Sequence, residues 1–530
     1  MRVNGLTSCI ALVTAALSSA VTVGEAQAQP AGGADAEIAE LKRQLHLIEQ
    51  KLDHLEKRTT GNTAAAANAK AAARTTPASV RQADPVKEPG APSGVVVGMP
   101  NNRPTVCTAD GQNCVSITGR LQLDAGGYNY RPNTAATAPQ RLDDGVNARR
   151  ARIGVVGKFA GDWNYALIYD FAGSSDGFGG TASAGGTAVG FLPGGGLSGI
   201  ESANLAYTGF KPFGGNLAIE GGYMDVPYTL DEAMSSNDIL FMERPSAQVI
   251  AVSIAAGDSR SAIGARWYND TFWAGAYATG PTSGAIHSGS SSNPNGATEQ
   301  FGAVARAAGQ IISGPNYSLH IGADAEFLIS PVHDEITALQ TLTLSDRPEL
   351  RIDPTEIVST GAMAGVSGAQ VYSVEAAGTY GPLFFQGEYY RYNVDRGALP
   401  GLSSVKFDGG YAEASYMLTG ETHTYNSATA AYNGIAPANP FSLAGGGWGA
   451  WEIAGRISMV DLDDQLAAAN GVAGGKQTIY SAGVNWYVDR NIRFMFNYLH
   501  GDIAKQVSAT NSGDVGAKFD AFAMRTQVAF

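Results

Sequence analysis

From Val115 to the carboxyl terminus, the sequence is a succession of short segments in which apolar and polar residues alternate. Ile153 and Val155 alternate with Arg152, for example, and residues 519–530 alternate in the same way before ending on an aromatic residue. Successive side chains of a β-strand point to opposite faces, so each segment presents one apolar face and one charged face. A soluble sandwich must bury its apolar faces against a second sheet, whereas an outer-membrane barrel turns them towards lipid. The pattern therefore favours a transmembrane β-barrel.

The links between these segments are alternately long and short, as in barrels with tight turns at one end and long loops at the other. The link 419–448 is an exception, because it is long where a short turn is expected, and we interpret it as a long periplasmic excursion. Sixteen strands leave a water-filled bore, whereas eight leave room only for side chains. The predicted strands lie near residues 115–130, 148–159, 162–172, 200–210, 216–224, 259–268, 271–279, 299–308, 316–328, 370–380, 383–393, 407–418, 449–459, 477–488, 491–501 and 518–530.

Three further segments precede the predicted barrel of residues 115–530. Residues 1–28 resemble a secretory signal peptide that ends in Ala26-Gln27-Ala28. Residues 29–58 carry apolar side chains at heptad spacing, which predicts a short periplasmic coiled coil and hence an oligomer; a single amphipathic helix is the alternative. Residues 59–114 are rich in Ala, Thr, Pro and Gly and are predicted to be a flexible linker. The predicted fold is all-β: a 16-stranded antiparallel transmembrane barrel preceded by a coiled-coil helix.

Two cysteines, Cys107 and Cys114, remain after signal cleavage and flank a predicted turn. In an oxidising periplasm this spacing favours a local disulfide. The alternative, a metal site, lacks a neighbouring histidine and the usual zinc spacing. We therefore expect no metal and no cofactor.

The HExxH, CxxC and GxxxxGK[ST] motifs of common catalytic and nucleotide-binding sites do not occur in the sequence. The seven histidines are scattered along the chain. We predict that the protein is not an enzyme and binds no nucleic acid.

Eight sequence blocks stand out within the predicted barrel: RRARIGV at 149–155, GDW at 161–163, YDFA at 169–172, SSNDILFMER at 235–244, LTGET at 418–422, GWGAWE at 447–452, NWY at 485–487 and NY at 497–498. Together these blocks resemble the phosphate-selective porin O and P family, and the resemblance extends over roughly residues 115–530.

The resemblance implies a homotrimer of sixteen-stranded barrels, each narrowed by an inward-folded third loop. In this sequence that loop falls at residues 225–258, with Asp238, Glu243 and Arg244 as candidate constriction residues. The resemblance also implies that the terminal aromatic row, ending at Phe530, is read by the barrel-assembly machinery.

Basic residues on the predicted lumen side are candidate contacts for small anions, because the planar guanidinium group suits oxyanions. Pairing with Asp124, Glu388 and Glu452 across the wall is the structural alternative. The net charge of the whole chain is −13, so any anion preference must come from the local lining rather than from the overall field. The candidates are Arg120, Arg150, Arg152, Lys158, Arg260, Arg266, Arg456, Arg493 and Arg525.

The predicted function is passive diffusion of small solutes through a water-filled channel in the outer membrane of a Gram-negative bacterium. We expect a preference for anions, with phosphate or polyphosphate as possible solutes. The alternatives are a general or organic-solute porin, and a structural protein that anchors the envelope. Expected partners are outer-membrane lipids and, through the periplasmic amino-terminal segment, peptidoglycan.

Overall fold

In the described part of the chain, sixteen long antiparallel strands form a closed barrel, as the alternating pattern predicted. The computed structural model describes residues 94–133, 141–172, 199–282, 297–298, 300–334 and 340–530. The predicted signal peptide, the coiled coil and most of the linker lie outside these residues. Strands β1 to β16 are Cys114–Pro132, Gly145–Phe159, Trp163–Asp170, Gly199–Tyr207, Asn216–Val226, Gly257–Tyr268, Phe272–Thr282, Phe301–Gly314, Tyr317–Ser330, Gly368–Tyr380, Leu383–Asp395, Val405–Met417, Ala450–Asp464, Val472–Tyr487, Ile492–Ala504 and Ala517–Ala529.

The last strand closes the barrel by pairing with the first. Strand β16 lies antiparallel to β1, with Phe522 opposite Gly127 and Arg525 opposite Asp124. Closure leaves the strands of the wall without a free edge, so their backbone groups are satisfied between neighbouring strands. The terminal alternating segment predicted from the sequence is therefore the closing strand.

The outer face of the wall is apolar and the inner face is largely polar. Ile263, Val374 and Phe522 point outwards and are 68%, 58% and 64% exposed. Trp451, Trp486 and Phe494 stack along neighbouring strands of the outer face, with ring centroids 5.3 and 5.5 Å apart. An apolar outer face with aromatic residues towards its ends is the pattern of a barrel wall in lipid.

A short β-hairpin precedes the barrel and extends its sheet. Strands Val95–Gly98 and Thr105–Thr108 pair with each other, and the second pairs with the beginning of β1. Cys107 and Cys114 lie opposite each other in this pairing and form a disulfide. Residues 94–113, which the composition assigned to a flexible linker, are thus ordered. The run of valines favours a strand, and this strand pairs with Thr105–Thr108, which in turn pairs with β1.

The links have the expected alternation of lengths. We call the end of the barrel that carries the short links, together with Phe530, the turn end, and the opposite end the loop end. Two helices, α1 (Leu230–Ala233) and α2 (Ser246–Ala255), lie in the long link between β5 and β6. Two 3₁₀ turns cover Pro100–Asn102 and Pro212–Gly214. Short paired strands in other links are Ala297–Thr298 with His333–Asp334, Thr341–Leu342 with Met363–Ala364, Ser345–Asp346 with Val358–Ser359, Tyr425–Asn426 with Ala431–Tyr432, and Gln506–Ser508 with Asn511–Asp514.

Three links fold into the barrel and fill much of its interior. The link 227–256, here called the inner loop, buries Ile250 and Ile254 of α2 against the wall and against the link 331–367. The link 418–449, here called the turn-end insertion, enters from the other end and packs Tyr432 against Phe384. This link was predicted to be an excursion away from the barrel. Its aromatic residues explain the difference, because they are buried only by folding back into the lumen.

Each inward segment is held by polar contacts with the wall as well as by apolar packing. Glu388 on β11 accepts hydrogen bonds from the backbone N–H groups of Leu230 and Asp231 in α1, at 2.8 and 3.0 Å. Arg306 on β8 donates to the backbone carbonyls of Thr429 and Ala430 in the turn-end insertion, both at 2.8 Å. In the described residues, no helix has the length and apolar character needed to cross a membrane.

Candidate functional site

Two adjoining cavities lie along the inner wall beside β1 to β6, and β14 to β16 also border the larger one. The larger, which we call the turn-end cavity, has a volume of about 620 Å³ and is bordered by turn-end residues such as Arg490 and Phe530. The smaller, which we call the inner cavity, has a volume of about 140 Å³ and lies beside the inner loop. Arg152, Glu201 and Asp258 border both cavities. We call the two cavities together the passage, and these three residues its junction.

Arg152 is the centre of the junction. Its guanidinium group binds carboxylates on three other strands: Asp170 on β3 at 2.8 Å, Glu201 on β4, and Asp258 on β6 at 3.5 Å. The side chain of Arg152 is 9% exposed, whereas that of Asp258 is 34% exposed. Asp258 therefore presents negative charge to the passage, while most of the Arg152 charge is used within the wall.

β-Bulges place additional charged residues at this level of the wall. The register slips at Arg149 between β1 and β2, at Glu201 between β3 and β4, and at Asp225 between β5 and β6. A bulge adds a residue to one strand and redirects its side chain. Under strict alternation these three residues would face lipid, as Leu205 and Ile219 do. They instead border the passage.

Strict alternation does not predict that these three residues face the lumen, because it takes no account of bulges. A signal was present at Arg149, since adjacent arginines at 149 and 150 cannot both face the lumen of a regular strand. A charge facing lipid at mid-membrane costs about 2–4 kcal/mol, so the pair itself predicts a bulge. No comparable signal marks Glu201 or Asp225.

Arg120 on β1 is half-buried and borders the turn-end cavity. Its guanidinium group donates to the hydroxyls of Ser236 and Ser235 on the inner loop, at 2.6 and 3.3 Å. On the neighbouring strand, Arg152 stands directly opposite it, and Arg150 donates to Gln122 at 2.9 Å. Arg120, Arg150 and Arg152 thus form one basic strip on β1 and β2.

The three residues expected at the constriction all lie on the inner loop and border the passage. Glu243 is 5% exposed and accepts hydrogen bonds from Arg149 at 2.8 and 3.1 Å and from Arg525 at 2.7 Å. Burial would raise the pKa of Glu243, but the charges of Arg149, Arg525 and Arg351 outweigh it and hold that pKa well below its ordinary value. Glu243 is therefore an ionised anchor of the loop.

Arg244 and Asp238 have different environments. Arg244 binds Asp231 and, at 3.3 Å, Glu232, both in α1, so it braces the inner loop internally. Burial raises the pKa of Asp238, and this rise is opposed by the backbone N–H of Gly434 and by nearby arginines. Asp238 borders the turn-end cavity, whereas Arg244 borders the inner cavity.

The remaining predicted lumen bases are distributed between the passage and the scaffold. Arg493 borders the turn-end cavity, donates to the Asn237 carbonyl at 3.0 Å and lies 4.7 Å from the Tyr487 ring centre. Arg266 pairs with Glu220 at 3.2 Å, and neither Arg266 nor Lys158 borders the described cavities.

Three predicted lumen bases, Arg260, Arg456 and Arg525, point inwards but are buried and border neither cavity. Arg260 donates to the carbonyls of Ser253 and Ala256 at the end of α2. Arg456 binds Glu349 in the link 331–367 at 2.7 Å, and Arg525 binds Asp124 and Glu243, each at 2.7 Å. Of the three expected wall carboxylates, Asp124 thus pairs with arginine. Glu388 instead holds α1, and Glu452 binds His423 at 2.8 Å.

The acidic side of the passage was not predicted. Asp225, Glu232 and Asp258 come from β5, α1 and β6, and their carboxylate oxygens lie within 4.8 Å of one another. A second trio, Asp324, Glu375 and Glu388, is buried deeper in the wall. Neither trio is free to act as a simple metal cage, because Arg244 contacts Glu232 and Arg306 contacts Glu375 at 2.9 Å.

Positive and negative side chains are balanced around the passage. Within the described residues, each cavity is bordered by five arginines and five carboxylate side chains, and by no lysine. The arrangement offers charge and hydrogen-bonding groups to a passing solute. Its chemistry is that of a polar conduit.

Comparison with known proteins agrees with the barrel. The chain is 25% identical to Porin O of Pseudomonas aeruginosa over 449 residues, which cover 80% of this chain and 90% of that protein. It is 27% identical to an uncharacterised protein of Caulobacter vibrioides over 514 residues, covering 93% of this chain and 90% of that protein.

Among solved structures, the outer-membrane channel DcaP of Acinetobacter baumannii matches with a TM-score of 0.42 and 10% identity, over 80% of this chain and 99% of that one. A loop-deletion mutant of OmpT of Vibrio cholerae matches with a TM-score of 0.44 and 12% identity, over 79% of this chain and all of that one.

The sequence model of the family described as phosphate-selective porin O and P matches residues 115–530, which include every strand of the barrel. The match confirms the resemblance carried by the sequence blocks. The chain belongs to the phosphate-selective porin O and P family of outer-membrane porins.

Proposed function

We propose that the protein is a passive channel for small hydrophilic solutes and that these cross the barrel through the passage beside β1 to β6. The observation that carries the proposal is the junction, where Arg152, Glu201 and Asp258 border both cavities and give them a continuous polar lining. Elsewhere in the lumen, the inner loop, the described residues of the link 331–367 and the turn-end insertion pack against the wall. Solutes are therefore confined to the charged wall.

The balance of charge around the passage favours a general channel with weak ionic selectivity. Several arginines that border it are already bound to carboxylates, as Arg149 is to Glu243 and Arg244 is to Glu232. Selectivity in a pore follows the local lining, so equal numbers of each sign partly cancel.

A moderate preference for anions, phosphate or polyphosphate among them, is the second candidate. It is favoured by Arg120, whose donors go to the neutral hydroxyls of Ser236 and Ser235. A guanidinium group in such a setting keeps a net positive field towards the cavity and is able to exchange a hydroxyl for an oxyanion.

Reversal potentials in a planar bilayer under a KCl gradient distinguish the two candidates. The general channel predicts a reversal potential near zero, and the anion channel predicts a clear shift towards the chloride potential. Arg120→Gln should move the potential towards potassium in either case. Arg391→Gln is the matched control, because Arg391 is 42% exposed, pairs with Asp408 and does not border the passage. A preparation that conducts no ions would overturn the proposed function.

We also propose that the protein is exported by residues 1–28, assembled by the barrel-assembly machinery and active as a homotrimer. In this proposal residues 29–58 form a periplasmic coiled coil that supports the trimer or reaches peptidoglycan, with the barrel itself held in outer-membrane lipid. Deleting residues 36–58 should preserve conductance and weaken trimers on native gels or attachment to the cell wall. If neither assembly nor attachment changes, the role assigned to this segment is wrong.

A further inference from the structure

The charges of the passage are separated by strand as well as balanced in number. The basic strip of Arg120, Arg150 and Arg152 lies on β1 and β2. The carboxylates that the neighbouring wall contributes lie on the next four strands and are Asp170, Glu201, Asp225 and Asp258; Glu232 on α1 lies beside them and contacts Arg244. A solute that crosses the junction therefore has bases on one side and acids on the other.

Both the basic strip and the acidic residues have charged groups that are accessible from the passage. On the basic side, Arg120 is half-buried and reaches the turn-end cavity. On the acidic side, Asp225 is exposed to that cavity and the Asp258 side chain is 34% exposed. Arg152 joins the two sides through its ion pairs, so it marks the boundary between them.

The bulges make this separation specific to the junction. The bulge at Arg149 adds a base to the β2 side, and the bulges at Glu201 and Asp225 add acids to the β4 and β5 side. Without these irregularities, all three charges would face lipid. The bulge at Arg149 adds positive charge to the basic side, and the bulges at Glu201 and Asp225 add negative charge to the acidic side. Together they produce an electric field directed across the passage.

We propose that the passage favours small dipolar solutes, namely free amino acids that carry both a carboxylate and an ammonium group. This inference rests on the proposed function and names a substrate class for the same passage. A dipolar solute has favourable electrostatic interactions with both sides at once, because its carboxylate lies towards Arg120 and its ammonium group towards Asp225 and Asp258. A singly charged ion is attracted by one side and repelled by the other, and a neutral solute has only weak electrostatic interactions with either side.

The test compares two isomers, L-alanine and lactamide, which have the same atoms but differ in charge separation. The full chain is reconstituted into liposomes, and the swelling rate is measured with each solute at low ionic strength, where screening is weak. We expect L-alanine to enter at least roughly threefold faster than lactamide through the wild-type channel.

Two variants remove one side of the field each. Asp225→Asn combined with Asp258→Asn should bring the ratio of the two rates close to that of a neutral pore and shift the KCl reversal potential towards chloride. Arg120→Gln should lower the same ratio but shift the potential towards potassium. Asp502→Asn is the matched control, since Asp502 pairs with Lys518 and borders neither cavity.

The outcomes separate this inference from the proposed function. Equal swelling with both isomers in the wild type, or a ratio that both variants leave unchanged, overturns the dipolar preference while the channel stands. Swelling with neither isomer overturns the channel itself. If the double variant does not assemble, Arg120→Gln alone decides, because an unchanged ratio in a conducting pore contradicts the inference.

Discussion

Glu243→Gln should release the tip of the inner loop from the barrel wall. Glu243 is the carboxylate on which Arg149 of β2, Arg525 of β16 and Arg351 of the link 331–367 converge. Glutamine has nearly the same shape as glutamate but no charge, so the substitution removes a negative charge that balances the buried guanidinium groups. The attachment of the inner loop to the wall is therefore weaker at the point where the loop borders the inner cavity.

The size of the effect follows from the burial of the cluster. Arg149 is 3% exposed and Arg525 is fully buried, so little water is present to replace the lost partner. Removing one member of a buried ion pair costs about 3–5 kcal/mol. That free energy raises the ratio of released to docked loop by roughly two to four orders of magnitude. Helix α2 should remain in place, because burial of Ile250 and Ile254 contributes roughly 1.5–3 kcal/mol for each side chain.

Single-channel recording is the assay, because a loop that leaves the wall widens the passage. We expect larger and noisier conductance for Glu243→Gln than for the wild type, with barrel formation preserved on unheated gels. Glu356→Gln is the control, since Glu356 is exposed and accepts a hydrogen bond from the hydroxyl of Ser345 in its own loop. Identical conductance and noise in Glu243→Gln and the wild type would refute the view that this ion cluster anchors the loop.

Other parts of the structure give further predictions. Arg306→Met should undock the turn-end insertion at a cost of about 3–5 kcal/mol and raise conductance, so unchanged conductance would contradict the assigned anchoring role. Because the pKa of Glu243 is lowered in the folded protein, its stabilisation of the docked inner loop is complete above the ordinary pKa of 4.5 and is lost only as the pH falls through the lower folded-state value. Open-channel noise should therefore stay constant from pH 7 to pH 4.5. A rise in noise near pH 6 would contradict this prediction. Cys107→Ser combined with Cys114→Ser should lower thermal stability by about 2.5 kcal/mol, as expected for closing a short loop, and leave conductance unchanged; loss of conductance would show that the hairpin supports the passage.

The wall of the barrel could be predicted from the sequence because its physical cause is local. A strand between lipid and lumen must alternate, and its links must suit the end of the barrel at which they lie, so each strand carries its own signal. Pairing of β16 with β1 was likewise indicated by the alternating terminal segment. The filling of the lumen could not be predicted in this way, because α2 and the turn-end insertion are apolar segments whose partners are distant in sequence.

The candidate site was predicted only in part, for the same reason. Alternation identified Arg120 and Arg152 as inward-facing, but it gave no means to distinguish them from Arg456 and Arg525, which also face inwards. Only the folded inner loop separates the two groups, since it leaves the first beside a cavity and buries the second against its own backbone. The acids of the passage were missed because bulges interrupt the period on which the prediction depended.

Chemical blocking of an engineered thiol shows whether solutes cross the barrel beside β1 to β6. Ser235 lies on the inner loop, is exposed and borders the turn-end cavity. Ser235→Cys, treated with a bulky thiol reagent while in a planar bilayer, should show a stepwise fall in conductance. Ser442→Cys is exposed outside the passage and should label without effect. Complete labelling of Ser235→Cys with conductance unchanged would contradict the account, because the current would then cross the barrel elsewhere.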